Sequence, residues 1–312
     1  MSGEGKRRFS LMRSGALISA LTFVSRIFGF IRDQLMAITF GAGGLMDAFY
    51  LAFALPNFFR RIFGEGAFSQ AFVPVFNDVK EQSSHQRLRE LCASVSGTLA
   101  VFVFGLAVLG VIFAEPILSV VAPGLSATPE REHAAAIMLR WTFPYLAFIS
   151  LVAYAGGVLN SYGKFGVPAF TPVLLNICLI GAIFLSVYYD GPGEYVLAVG
   201  VFVAGFAQLA LQLPALSKLG LLPMPTLDFK DQGVRRILVL MAPAIFGASV
   251  YQVNMLFSRF IASFLPDGSF SWLYNADRLV EFPLGIFGVA LATVVLPVLS
   301  RQNSAGDQAG RT

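Results

Sequence analysis

Apolar residues run along this chain in long unbroken blocks. Six stretches carry no charged residue at all: Leu91–Ala114, Trp141–Gly163, Phe165–Tyr189, Tyr195–Ser217, Ile237–Ser258 and Phe282–Ser300. Each is near or above the ~18–20 residues that a helix needs to cross ~30 Å of hydrocarbon. The strands of a membrane barrel would instead alternate over about ten residues, which these runs do not. Between Ser14 and Phe76 the pattern changes, and apolar blocks are interrupted by Arg26, Arg32–Asp33, Asp47, Arg60–Arg61 and Glu65. These read as two long helices with ionisable groups inside the bilayer. The expected spans are 15–40, 46–77, 91–114, 134–160, 166–189, 195–217, 236–264 and 271–300, which makes an all-α polytopic membrane protein of eight helices.

Composition supports that reading. Of 312 residues, 56% are hydrophobic and 13% charged, against roughly 25% charged in a soluble domain. Mean hydropathy is +0.71. A soluble globular protein is excluded. The net charge of +4 would suggest nucleic-acid binding in a soluble chain, but in a membrane protein the placement of the cations carries the information. With the N-terminus inside, the inner segments hold 14 Lys and Arg and the outer ones only Arg131. Both termini are therefore expected in the cytoplasm. The cationic start before Ser14 looks like a secretory signal, but Arg26, Arg32 and Asp33 interrupt the residues after Val24 and no small-residue cleavage site closes the run.

Seven arginines fall within the spans. Arg140 beside Trp141 and Arg259 near Pro266 are expected at outer helix ends, where a long side chain reaches the interface. Arg26, Arg32, Arg60, Arg61 and Arg278 lie deeper. Each would cost roughly 2.5–3.5 kcal/mol or more facing lipid at the bilayer centre, so a polar interior is expected. Arg26 and Asp33 are seven apart and share a helix face, with Ser25 and Arg32 on the neighbouring stripe. Arg60 follows Pro56 and Asn57 by one turn, so the proline is expected to free a carbonyl beside the guanidinium. Asp277 and Glu281 flank Arg278 at i and i+4 spacing. The five arginines are expected to converge against Asp33, Asp47, Glu65, Asp277 and Glu281. A planar guanidinium grips phosphate oxygens in pairs and keeps its charge when buried, so this set suits a pyrophosphate. The competing reading is that the arginines only neutralise carboxylates and hold helices together.

Other chemistry is poorly supplied. His85 and His133 fall in expected loops, which leaves no histidine for a zinc site or a Ser-His-Asp arrangement within the membrane. Cys92 and Cys178 sit alone in apolar runs and read as packing residues. Gly157 to Lys164 misses the spacing and the Ser or Thr of a phosphate loop. Ile62-Phe63-Gly64 before Pro74 echoes Ile286-Phe287-Gly288 before Pro297, and such repeats mark transporters with a site near the midplane.

Two regions resemble a known family. Ser25 through Asp33, Gly41 through Phe49, Leu55 through Arg61 and Glu65 through Pro74, together with Tyr274 through Gly288, are similar to the MurJ (MviN) family of the multidrug/oligosaccharidyl-lipid/polysaccharide exporter superfamily. The resemblance implies a lipid II flippase that moves the undecaprenyl-pyrophosphate-linked peptidoglycan precursor to the outer face of the cytoplasmic membrane by alternating access. It implies Arg26, Arg32, Arg60 and Arg278 as cavity arginines binding the pyrophosphate. Ser25, Asp33, Asp47, Asn57, Arg61, Glu65, Asp277 and Glu281 are expected as supporting polar groups. Lipid II and membrane lipids are the implied partners, with no nucleic acid, no cofactor, no metal and no identified coupling ion. The family has fourteen spans and this chain holds eight. The expected division is a tail at 1–14, a first six-helix lobe at 15–217, a linker at 218–235, the first two helices of a second lobe at 236–300 and a tail at 301–312. A related exporter of drugs or other lipid-linked oligosaccharides, or a non-transporting truncated product, is the alternative.

Overall fold

A computed structural model describes residues 3–222 and 224–280. All regular structure among them is helical: α1 (Gly3–Phe40), α2 (Gly44–Phe59), a π-helical segment (Arg60–Phe68), α3 (Ser69–Gln82), α4 (His85–Ile112), α5 (Ala114–Val121), a 3-10 turn (Pro123–Ala127), α6 (Pro129–Thr142), α7 (Tyr145–Ser161), α8 (Gly166–Ser186), α9 (Gly193–Lys218) and α10 (Gln232–Ala262). The chain is helical again over 269–280, which we call α11. Five of the described helical stretches are long and apolar enough to cross a membrane, and α10 makes a sixth if its two parts, bent by 43°, count as one span.

The hydropathy blocks place most helices well. The expected span at 166–189 is α8, and that at 195–217 is α9. The span expected at 134–160 is broken at Phe143-Pro144 into α6 and α7, because proline lacks the amide hydrogen that would continue the ladder. Residues expected as an outer loop after Ala114 instead form α5 and a 3-10 turn. His85 and His133, also expected in loops, lie in helices, His85 as the first residue of α4 and His133 in the second turn of α6. The span expected at 271–300, the second half of the Ile-Phe-Gly echo and Glu281 lie largely or wholly outside the described residues.

α2 is the central element. Met46 through Phe53 are all buried, as is Leu55, which follows from a helix apolar on every side. It packs chiefly on α6, while α8 joins α1 to α9 and α7 packs along α9. Pro56 leaves the Ala52 carbonyl without its usual donor. That carbonyl is taken by the Thr142 hydroxyl of α6 at 2.8 Å, so it does not face Arg60 as expected from the sequence.

Past α2 the helix widens into π geometry from Arg60 to Phe68, a form that recurs at functional positions. A Cβ at Gly66 would lie 2.7 Å from the Arg61 carbonyl oxygen, so the wide turn depends on glycine there. α10 packs along this segment and α3.

Candidate anion-binding site

Two cavities meet where α1, α2, α8, α10 and α11 converge. The larger, about 420 Å³, lies between α1, α8 and α11, and its walls include Ser25, Arg26, Arg32, Asp33, Asn176 and Arg278. Asp33 is the one carboxylate among its described lining residues, against three guanidinium groups. The smaller, about 110 Å³, lies between α2, the π segment, α10 and α11, with Asn57, Arg60, Arg61, Arg259 and Arg278 in its walls. No carboxylate is among its described lining residues. Arg278 and Tyr274 stand between the two.

Arg32 organises the larger cavity. It is 5% exposed, and each of its three side-chain nitrogens donates to an acceptor. Nε and Nη2 donate to Asp33 Oδ1 at 2.9 and 2.6 Å, and Nη1 donates to Asn176 Oδ1 at 2.7 Å. The Tyr274 hydroxyl donates to Asp33 Oδ1 at 3.3 Å and accepts from Arg278 Nε at 3.2 Å. Arg278 Nε also lies 3.6 Å from Asp33 Oδ2, and its guanidinium stands 5.2 Å over the Tyr274 ring. Tyr274 in turn stacks on Tyr50 of α2 at 4.0 Å between centroids. One carboxylate thus serves two arginines, and the described lining residues keep an excess of positive charge. Arg26 reaches into the same cavity with its Nε buried and without a hydrogen-bond partner.

In the smaller cavity Asn57 ties Arg60 to α2: its Oδ1 accepts from Arg60 Nε at 3.0 Å while its Nδ2 donates to the Phe53 carbonyl at 3.1 Å. Arg61 Nη1 meets the Met255 sulfur at 3.8 Å.

The sequence-expected set is therefore split. Ser25, Arg26, Arg32, Asp33 and Arg278 come together around one cavity, and Asn57, Arg60 and Arg61 join Arg278 around the other. Asp277 is exposed on α11. Glu65 lies in the π segment, and Glu281 falls outside the described residues. Asp47 is not among the lining residues of either cavity. It is 1% exposed and caps α11: its Oδ2 accepts the Gly268 amide at 2.7 Å, and its Oδ1 accepts the Ser271 amide and hydroxyl at 2.8 and 2.6 Å. Gly268 has φ +90°, a turn that glycine makes without strain. Arg131 completes this end through Asp267, with Asp47 3.9 Å away.

Sequence reasoning missed Asn176 and Tyr274 and misplaced Arg259. Asn176 is an amide inside an otherwise apolar run, the kind of position that marks an interior contact. Arg259 was expected at the lipid interface; it is 7% exposed, because α10 turns that face toward α2 and α11.

Comparison with known proteins decides the family. The model of the family described as "Lipid II flippase MurJ" matches residues 36–311. The chain belongs to the lipid II flippase MurJ family. It is similar to the probable lipid II flippase MurJ of Vibrio cholerae, 47% identical over 301 residues, covering 94% of this chain and 57% of the relative. The lipid II flippase MurJ of Burkholderia cenocepacia is 42% identical, with 96% and 58% covered. A solved structure titled as lipid II flippase MurJ in an inward closed conformation superposes with a TM-score of 0.77 at 31% identity, covering 93% of this chain and 59% of that one. The chain thus spans somewhat over half the length of these relatives. It is a multi-pass membrane protein of that fold.

Proposed function

We propose that the chain acts in lipid II translocation, carrying the undecaprenyl-pyrophosphate-linked precursor from the inner to the outer face of the cytoplasmic membrane by alternating access. It is a transporter and performs no chemistry on its substrate. The observation that carries this reading is the excess of arginine over carboxylate among the described lining residues of two adjoining cavities inside an apolar bundle. Buried pairs that served only to hold helices together would be a costly device, and they would be matched in number. Arg26, Arg32, Arg60 and Arg278 bind the pyrophosphate through the charge they bring to the cavity walls and through guanidinium donors turned to its oxygens, Arg32 while resting on Asp33 and Asn176. Asp33 and Asn57 hold Arg32, Arg278 and Arg60 in place, Ser25 and Arg61 add polar groups to the walls, and Asp47 closes one end by capping α11. Residues 15–217 form the first lobe, 218–235 the linker, and 236–300 the first helices of a second lobe, with both termini in the cytoplasm.

The test is rescue of a flippase-depleted cell by a chimera in which this chain replaces the aligned part of the Vibrio cholerae relative. The unaltered chimera is expected to rescue. Arg32→Ala or Arg60→Ala should abolish rescue at normal protein abundance, and the lysine variants should recover little because the fork is lost. Normal rescue by both alanine variants would overturn the pyrophosphate role.

A further inference from the structure

Away from the arginine cavities, α4, α7 and α9 enclose an apolar groove together with the segment that joins α9 to α10. Its volume is about 340 Å³, and its walls include Ala100, Leu151, Tyr154, Leu213 and Met224. That size falls within the range of sites that hold a small molecule. The hydroxyl groups in the walls are spent inside the protein: Tyr154 donates to the Cys92 carbonyl and Ser96 to the Ala93 carbonyl, each at 3.2 Å. The rim is apolar and open, with Leu213 37%, Leu222 47% and Met224 88% exposed. The joining segment also lies deep. Thr226 meets α4 at Ala93, where its amide donates to the carbonyl at 3.0 Å, and at Gly97, where a Cβ would lie 2.2 Å from the Thr226 carbonyl oxygen. Glu90 is the last charged residue before the apolar run of α4, and Gly97 lies about 10 Å further along the axis. The groove is therefore at a depth that acyl chains reach.

The register of α4 places a cation at the mouth of this groove. Arg89, Ser96 and Ala100 are spaced by seven and four residues, so they share one stripe about 40° wide. Cys92, which Tyr154 of α7 holds, lies to one side of that stripe, and Ala93 and Gly97, which Thr226 covers, lie to the other. Arg89 thus stands exposed between α7 and the joining segment, about 10 Å from Ser96 along the axis. Glu90 beside it is turned to other partners: its Oε1 accepts from Gln86 Nε2 at 3.4 Å, and its Oε2 lies 3.9 Å from Arg87.

We propose that this groove binds a glycerophospholipid of the surrounding bilayer, with one acyl chain along Ala100, Leu151 and Leu213 and the phosphate on the Arg89 guanidinium. The apolar walls alone accept any chain. Arg89, in register with them, selects a chain that carries an anion at headgroup depth, because a guanidinium donates charge-assisted hydrogen bonds to phosphate oxygens. The bound lipid covers the apolar rim and wedges the segment leading into α10 against the bilayer. The groove shares no described lining residue with either arginine cavity.

The experiment takes the 312-residue chain in detergent, freed of lipid, with phosphatidylglycerol as probe and the thermal unfolding midpoint as readout. Diacylglycerol of the same chains supplies the apolar part without the phosphate, and glycerol phosphate supplies the anion without the chains. Phosphatidylglycerol should raise the midpoint in a saturable way, and neither control should match it. Arg89→Ala, at an exposed position, should weaken phosphatidylglycerol binding about tenfold or more, and Arg89→Lys should retain part of it because the charge stays and the fork is lost. Ala100→Trp, or Ala100→Leu should the larger side chain prevent folding, fills the groove and should weaken binding by a similar factor. An equal response to diacylglycerol would show that any apolar chain suffices, and an equal response to glycerol phosphate would show an ion site without a lipid. Either result overturns the proposal, as does no response of the wild type, or affinity within about twofold of wild type in Arg89→Ala or in the groove-filled variant. No step of the test involves transport, so its outcome is independent of the flippase reading.

Discussion

Asn176 of α8 accepts a hydrogen bond from Arg32 Nη1 at 2.7 Å and donates its own amide hydrogen to the Ser25 carbonyl at 3.0 Å. A guanidinium only donates, so the amide oxygen must face Arg32 and the amide nitrogen must face α1. The residue therefore fixes both the cation and the helix that carries it. Asn176→Leu leaves a buried guanidinium donor and a carbonyl less satisfied, and should lower stability by about 1–3 kcal/mol. Asn176→Asp keeps an acceptor for Arg32 but loses the donor to the Ser25 carbonyl and takes one charge from the cavity's positive excess, so it should recover only part of the stability while weakening pyrophosphate binding. Thermal unfolding with and without pyrophosphate reads both effects. Equal loss of affinity and stability in the two variants would show that Asn176 acts through packing alone.

The Thr142 hydroxyl on the Ala52 carbonyl makes a second, independent case. Thr142→Val keeps the volume and orphans a buried carbonyl in the centre of the bundle, at about 1–3 kcal/mol. Combined with Pro56→Ala, which gives that carbonyl its helical donor back, the loss should shrink. An undiminished loss in the double variant would mean that the threonine serves another purpose.

How much was legible in the sequence depends on which physical signal carried it. Helix positions followed from apolar run length, and α8 and α9 start and stop close to where charge and glycine bound the runs. The break at Pro144 lies in an unbroken apolar run, so run length alone does not reveal it, although proline announces it. The arginine cavity was legible because deep cations cannot face lipid. The pairing within it was not. Arg32 and Asp33 are consecutive, so helical periodicity points their Cβ atoms about 100° apart, yet the long guanidinium arm folds back onto its neighbour's carboxylate. Asp47 reads from the sequence as a cavity acid because of its residue type. Its role as the cap of α11 comes from a contact across 224 residues, which no local pattern contains.

That cap yields a coupled prediction. Asp47→Asn removes the charge from three hydrogen bonds at a helix N-terminus and should cost about 1.5–3 kcal/mol, and Ser271→Ala about 0.5–1.5 kcal/mol. The double variant should lose less than the sum, with a coupling energy of about 0.5–3 kcal/mol. Strict additivity would show that the two residues do not act through their shared contact.

The proposed orientation is testable by labelling. Single cysteines at Ser126 and Gly191, in a background lacking Cys92 and Cys178, should react with an impermeant reagent added outside the cell, and cysteines at Ser84 and Gln232 should not. The reverse pattern would invert the orientation derived from the basic residues.

Asp231 gives a prediction about pH. It stands before α10 and accepts the Gly233 and Val234 amides on Oδ1 at 2.8 and 3.2 Å, while Oδ2 accepts from Arg87 of α4 at 2.6 Å. Nearby, the Thr226 amide donates to the Ala93 carbonyl of α4 at 3.0 Å, so the segment between α9 and α10 is tied down at both points. Burial alone would raise the Asp231 carboxyl, but the Arg87 hydrogen bond and charge and the two amides outweigh it and hold the group below its ordinary value of 3.8. The folded value lies under the unfolded one, so the unfolded chain takes up the proton first as pH falls. The stabilisation is therefore full above the ordinary carboxylate range and is lost as pH drops through the folded value. The midpoint difference between wild type and Asp231→Asn should be constant from about pH 8 to pH 5 and should shrink only below about pH 4. Arg87→Ala removes the main opposing charge and brings the folded value toward the unfolded one, so in that background the pH-dependent part of the difference should be smaller. A difference that persisted undiminished at about pH 2 would show that the carboxylate's charge has no part in anchoring α10 to α4.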